Sequence, residues 1–396
     1  MADILSTLGL PLSRDAKALS TCAVDTGMEL MRHMDIASYL DNKRSHLGQT
    51  SGRVKDFTVF DYNYIPEKPV ERAEVKEIVK HMLRFEMTGI PAHMAVVGSR
   101  GSGKTLMLKY LQQMVLRKTE LDVLYVNCRH HNTSFKIFAD LLDEEKIGGS
   151  SLGDLYQRFM MKFPKRTVLI MDEVDLMSPK DKNREILYFL SRSEQPYMVI
   201  MLSNTPHVVK QLDAATLSSL QPLRLYFRNY DAQQLGEILL GRARKGLHDW
   251  DDSHIAQIAA LTAQRTNSDA RVALKTLFYK TIEPDDSVEA CFEAARRDIV
   301  IDQVNDLTDA NLIILWAAAT SKSDLAKDIY DRYCRYSRDH QIKPFSYMYF
   351  YTNLGYLQSV GLVALVAAKI DRTYTNRIVL TFDKAIAEQS CKLRFE

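Results

Sequence analysis

The sequence predicts an α/β domain with a parallel sheet, then a small all-α domain, then a C-terminal domain of helices closed by a hairpin. Three observations carry this. Between residues 57 and 227, short apolar runs alternate with amphipathic stretches, the pattern of strands joined by crossover helices. From Asp231 the strand-like runs stop and helical periodicity takes over. From Asp309 three helical stretches precede two strand-like runs.

At 396 residues the chain exceeds one ordinary core, so two or three domains are expected. Its 46% hydrophobic and 26% charged content describes a globular protein. A net charge of +2 does not itself point to a polyanion, although a local basic patch stays open. Cys22, Cys128, Cys291, Cys334 and Cys391 form no C-x-x-C pair, so neither a metal site nor a disulfide framework is expected. Met1 to Leu12 has no basic, long-apolar signal pattern, and Gly361 to Ala368 is too short to span a membrane. A cytoplasmic, nucleoid-associated protein without membrane contact is the expectation.

Residues 1–55 read as an N-terminal extension, with a possible helix over Thr26–Leu40 and a polar linker over Asp41–Lys55. Val70–Phe85 is amphipathic through Val75, Ile78, Val79, Met82 and Leu83. Met94–Val97 reads as a buried strand and Leu106–Leu116 as a helix. Strands follow over Leu121–Val126, Thr167–Met171, Met198–Leu202 and Leu223–Phe227. Helices follow over Phe135–Leu142, Leu152–Phe163 and Arg184–Leu190. The base is placed at 56–228. Helices at 232–244, 254–265 and 268–280 form a lid placed at 229–302. The last domain, 303–396, has helices at 309–319, 323–337 and 345–358, then strands at 361–369 and 377–382 around a polar tip at 370–376. This is the winged-helix order.

The chemistry centres on Gly98, Ser99, Arg100, Gly101, Ser102, Gly103, Lys104 and Thr105, which match G-x-x-x-x-G-K-[ST] at every fixed position. The glycines let backbone N–H groups converge on a phosphate chain at a helix N-terminus. Lys104 would reach the outer phosphates and Thr105 would hold Mg²⁺. Asp172 and Glu173 end the third strand as a carboxylate pair. Asp172 would serve the metal, and Glu173 would act as general base toward an attacking water. Asn204, ending the next strand, would orient that water.

This order of motifs, with Asp269-Ala270-Arg271 downstream, resembles an AAA+ ATPase. Tyr64-Ile65-Pro66, Arg72, Val126-Asn127-Cys128-Arg129, Ser218-Ser219, Phe227 and Tyr230 narrow the resemblance to the archaeal origin-recognition and cell-division-control initiator family. The resemblance spans about residues 57 to 390 and rests on the combination of motifs. It implies ATP/ADP and Mg²⁺ as ligands. It also implies Arg271 as a lid arginine sensing the γ-phosphate, and Tyr64, Ile65, Pro66 and Tyr230 as the adenine pocket. Arg129 to Lys136 falls where the family contacts DNA, which makes Arg129 and Lys136 backbone-contact candidates, with a solvated loop as the alternative. The implied partners are double-stranded DNA at origin-like sites and a replicative helicase or related AAA+ subunits.

One departure matters. The family's arginine finger would fall at Ala215, so weak, slow hydrolysis is expected. In the C-terminal domain, residues 330–396 hold ten Lys/Arg against six Asp/Glu, more basic than the chain as a whole. Phe350, Leu354 and Leu357 would face the core, leaving Ser346, Tyr349, Thr352 and Asn353 for a major groove. Arg372, Thr373 and Arg377 would meet phosphates or the minor groove from the wing. An ATP-switched, origin-binding initiator is the leading reading. The alternatives are a nucleotide-gated protein-interaction module and an AAA+ regulator of transposition or plasmid maintenance.

Overall fold

The computed structural model describes residues 52–143, 149–178, 181, 184–205, 208–370 and 373–395. The expected helix at 26–40 and most of the linker lie outside the described residues, as does Arg372.

The base opens with α1 (Ala73–Thr88), β1 (Met94–Gly98), α2 (Lys104–Lys118) and β2 (Asp122–Asn127). It continues through α3 (Ser134–Leu142), α4 (Leu152–Lys162), β3 (Thr167–Asp172), α5 (Glu185–Ser191), β4 (Tyr197–Ser203), α6 (Ala214–Leu220) and β5 (Leu223–Phe227). The five strands pair in the order β2-β3-β4-β1-β5, all parallel. Every residue of β3 and β4 is buried, as the unbroken apolar runs require of strands covered on both faces. Side chains alternate between two cores. Leu169, Met171, Val199 and Met201 pack with Phe138, Phe159 and Leu187 on one face. Val96, Ile170 and Ile200 pack with Phe85, Leu108 and Leu111 on the other.

Four helices follow: α7 (Ala232–Gly246), α8 (Asp252–Arg265), α9 (Ala270–Ile282) and α10 (Val288–Asn305). The sequence reading carries no helix over 288–305. Val288, Cys291, Phe292, Ala295 and Ile299 nevertheless repeat at helical spacing and are buried. The helix is continuous across 302–303, and its Val304 joins the C-terminal core.

The C-terminal domain comprises α11 (Asp309–Thr320), α12 (Ala326–Asp339), α13 (Tyr347–Ser359), β6 (Val363–Ile370), β7 (Thr373–Leu380) and α14 (Lys384–Phe395). Phe350, Leu354 and Leu357 are buried in its core, and Tyr333 with them. Leu325 forms a bridge with Arg377, completing the winged-helix arrangement. The expected polar tip at 370–376 is corrected: Ile370 pairs with Thr373, and Tyr374, Thr375 and Asn376 continue the ladder. Threonine and tyrosine are polar yet favour strands, and that preference wins here. The closing helix α14 is also absent from the sequence reading.

Candidate nucleotide-binding site

The parallel sheet brings the C-terminal ends of β1, β3 and β4 to one edge, where such sheets hold their ligands. The phosphate loop leaves β1 there. Gly101 and Gly103 adopt φ of 72° and 85°, the left-handed region that favours glycine. The side chain of Lys104 folds back over the loop. Its Nζ donates to Gly98 O at 2.8 Å, Ser99 O at 2.8 Å and Asn204 Oδ1 at 3.0 Å. Burial pushes the ammonium pKa down to about 8.

Asp172, buried at the end of β3, accepts the Thr105 hydroxyl at 2.7 Å and the Tyr125 hydroxyl at 2.8 Å, both on Oδ2. Burial, then the adjacent Asp172, raises the Tyr125 phenol. A hydroxyl and a carboxylate oxygen this close form a hard-donor pair, which fits Mg²⁺. Glu173 has φ of 54°, which turns its side chain out of strand geometry. Its Oε2 lies 3.4 Å from Arg129 Nε. Asn204 is held at the end of β4, its N–H 3.4 Å from Asp175 Oδ1.

The lid meets the loop directly. Ala270 N–H donates to Gly101 O at 3.3 Å, and Arg271 Nε donates to Asp269 Oδ1 at 3.0 Å. Between base and lid lies a cavity of about 800 Å³, lined in part by Lys104, Thr105, Asp172, Glu173, Asn204 and Arg271. Tyr64, Pro66 and Tyr230 also line it, the Tyr230 hydroxyl close against Gly103 of the phosphate loop, and Ile65 stands outside the lining. Arg242 of α7 holds Tyr64 by donating to Tyr64 O at 3.0 Å while lying 4.5 Å from the Tyr64 ring centre. Arg72, 4.5 Å from the Tyr230 ring centre, holds that ring in turn.

The described DNA candidates stand in different local settings. Arg129 lines the cavity rather than the outside, between Glu173 and Asp306. Lys136 is exposed on the first turn of α3. Ser346 caps α13 by accepting Tyr349 N–H, and Asn353 Nδ2 donates to Tyr349 O at 2.8 Å. Tyr349 is exposed, as is its neighbour Met348. Thr373 opens β7. Arg377 is ion-paired with Asp324 at 2.6 Å. Ala215 lies exposed on α6, where its N–H donates to Asp213.

Residues 91–212 match the AAA domain profile. An ORC1-type DNA replication protein of Methanothermobacter thermautotrophicus is 27% identical over 283 residues, 68% of this chain and 77% of that protein. The ORC1-type DNA replication protein 1 of Sulfurisphaera tokodaii is 30% identical over 235 residues, 54% of this chain and 58% of that one. The structure of the Aeropyrum pernix ORC1 protein in complex with DNA superposes with a TM-score of 0.66 at 22% identity, covering 87% of this chain and 98% of that one. The chain therefore carries an AAA domain, is similar in sequence to ORC1-type DNA replication proteins, and shares the fold of the Aeropyrum pernix ORC1 protein.

Some site residues of this ORC1-like AAA protein go unassigned in the sequence reading. Tyr125, two residues before the end of β2, carries no motif, although strand alternation puts it on the face of Asp172. Tyr62 and Asp306 also line the cavity, and no local signal marks either. Among the described residues no helix is long and apolar enough to cross a membrane.

Proposed function

We propose that this protein is an ATP-switched, DNA-binding replication initiator with slow hydrolysis. The observation that carries the nucleotide half is the convergence of Lys104, Thr105, Asp172 and Asn204, from three separate sequence segments, on one site. Lys104 binds the outer phosphates in place of the carbonyls it now touches. Thr105 and Asp172 hold Mg²⁺, which when bound supplies charge neutralisation to the phosphates. Glu173 takes the proton of the attacking water, and Asn204 orients that water. Arg271, presented by the lid, senses the outer phosphate, and Tyr64, Pro66 and Tyr230 receive the adenine. With alanine at 215, turnover is slow and the bound nucleotide acts as a state marker.

The DNA half rests on the winged helix and the basic balance of residues 330–396, together with the family's named role in replication. Origin-like duplex sites and a replicative helicase, or related AAA+ subunits, are the partners this reading names. One observation favours a protein-contact role for the same domain. Helix α13 carries no charged residue, and Tyr347, Met348 and Tyr349 are exposed at its start.

Duplex binding with ATP and with ADP across a salt series tests the two. Steep salt dependence that differs between nucleotides supports the initiator. Nucleotide binding without duplex binding at any salt replaces it with the protein-interaction module.

A further inference from the structure

The nucleotide cavity is walled partly by the C-terminal domain, through Asp306. Asp306 sits between α10 and α11, and its place is fixed from both sides. Arg394 of α14 donates to Asn305 O at 2.5 Å and to Leu307 O at 2.7 Å. Val304 and Leu307 are buried in the winged-helix core. The Asp306 carboxylate therefore moves with that body.

Arg129 faces Asp306 across the cavity. Its N–H donates to Asn127 Oδ1 at 2.8 Å, which fixes its backbone beyond the end of β2. Its Nη1 donates to Asp306 Oδ2 at 2.9 Å, while its Nε lies 3.4 Å from Glu173 Oε2. A guanidinium presents donors on several edges of one plane, so it can hold two carboxylates in fixed relation. A lysine ammonium cannot reproduce that fork. Tyr356 of α13 lies within electrostatic reach of both Arg100 and Arg129, a second approach of the same body to the same site.

We propose that Arg129 is a positioning residue that ties Glu173 to the winged-helix body through Asp306, holding the carboxylate aside and hydrolysis slow until that body moves. This rests on Glu173 acting as the base in ATP hydrolysis. A shift of an ångström or two at Asp306 breaks the 2.9 Å bond and releases the guanidinium that Glu173 shares. Whatever the winged helix grips is thereby reported to the hydrolytic site without a contact of its own there.

The test uses the full chain as wild type, Arg129→Ala, Arg129→Lys, Asp306→Asn and the Arg129→Ala/Asp306→Asn double variant. Three quantities are read: affinity for a fluorescent ATP analogue, steady-state kcat and KM, and hydrogen exchange over residues 300–312. Arg129→Ala is expected to raise kcat about three- to tenfold, the scale of a partly exposed ion pair, with nucleotide affinity and KM unchanged. Arg129→Lys gives the same rise, because charge without the fork does not bridge. Asp306→Asn raises kcat as well, and the double variant adds nothing beyond Arg129→Ala. Exchange over 300–312 is faster in every variant. A fall in kcat with Arg129→Ala, rescue by lysine, multiplying effects, or unchanged exchange each overturns the tie. If wild type binds nucleotide but hydrolyses none, the reading of Glu173 fails separately, and the exchange comparison alone decides whether Arg129 holds the body.

Discussion

A Cβ placed on Gly101 would lie 1.9 Å from Asp269 Oδ1 and 2.8 Å from Asp269 Cα. The phosphate loop and the N-cap residue of lid helix α9 are in contact with no space for a methyl group. Gly101→Ala therefore does two things. It puts an alanine at φ of 72°, costing ~1–2 kcal/mol, and it pushes the start of α9, with Arg271, off the loop. Nucleotide affinity is expected to fall at least about tenfold, the scale of one lost charge-assisted contact. Gly149→Ala is the control. It sits at φ of 84° with nothing near its Cβ, so it carries the backbone strain alone. Titration of a fluorescent ATP analogue into both variants checks this, and equal affinity in the two would remove the contact from the account.

Asp172 and Glu173 are neighbours in sequence with separate surroundings, and their variants should part accordingly. Asp172 Oδ2 accepts two hydroxyls, so Asp172→Asn presents an amide donor or a reoriented group to Thr105 and Tyr125. It is expected to abolish the gain in nucleotide affinity that Mg²⁺ gives, and chelation of Mg²⁺ should then change nothing further. Glu173→Gln should bind ATP as wild type does while turnover falls by roughly 10²-fold or more. Affinity with and without chelator, beside a phosphate-release assay, separates the two.

The base of the fold was legible because its signals are local. An apolar run ending in Asp172-Glu173 is both a strand and a site, since parallel sheets end their strands at the ligand edge. The same logic reaches Asn204. It does not reach Arg129 and Asp306, which stand 177 residues apart and meet only because α14 anchors the segment after α10. Their pairing is a product of domain docking: the motif around Arg129 pointed to DNA and not to Asp306, and Asp306 carries no local mark. The hairpin was misjudged for another reason: Thr373, Tyr374 and Thr375 look like a loop by polarity and behave as a strand by shape. Helix α14 did have a readable signal, because Ile386, Ala387, Ser390 and Cys391 share one face. Its apolar stripe is narrow and made mostly of small side chains, so it reads weakly.

Arg377 is the described wing residue best suited to phosphate, and it is already engaged. Asp324 Oδ2 takes both its Nε, at 2.7 Å, and its Nη2, at 2.6 Å. Binding a phosphate there requires exchanging one anion for another. Asp324→Ala should therefore strengthen duplex binding a few-fold at low salt, and Arg377→Ala should weaken it and lower the salt slope by about one. Because Arg377 is exposed and Asp324 partly so, neither change should move the melting temperature by more than about 1–2 °C. Duplex titration at four salt concentrations tests this. Identical slopes for all three proteins would remove Arg377 from the interface.

His93 contributes a pH dependence to the fold, at the end of the sheet opposite the site. It is buried where β1 begins, and its Nδ1 accepts the Val199 N–H at 3.1 Å. Its own carbonyl accepts Leu223 N–H at 2.9 Å, so it ties β1 to both neighbours. Burial pushes its pKa down to about 4, from an ordinary value of 6.5. The folded protein thus resists a proton that the unfolded chain takes up readily. Stability from this residue is full above pH 6.5 and drains away as pH falls toward 4, by as much as ~3 kcal/mol. His93→Asn keeps an acceptor for Val199 but does not titrate. Between pH 7 and pH 5 the wild type should lose melting temperature faster than His93→Asn does, after each is referred to its own value at pH 7. Thermal unfolding at half-unit pH steps gives the two slopes. Parallel slopes would mean that the imidazole is protonated in the folded sheet and that Val199 N–H has turned to another acceptor.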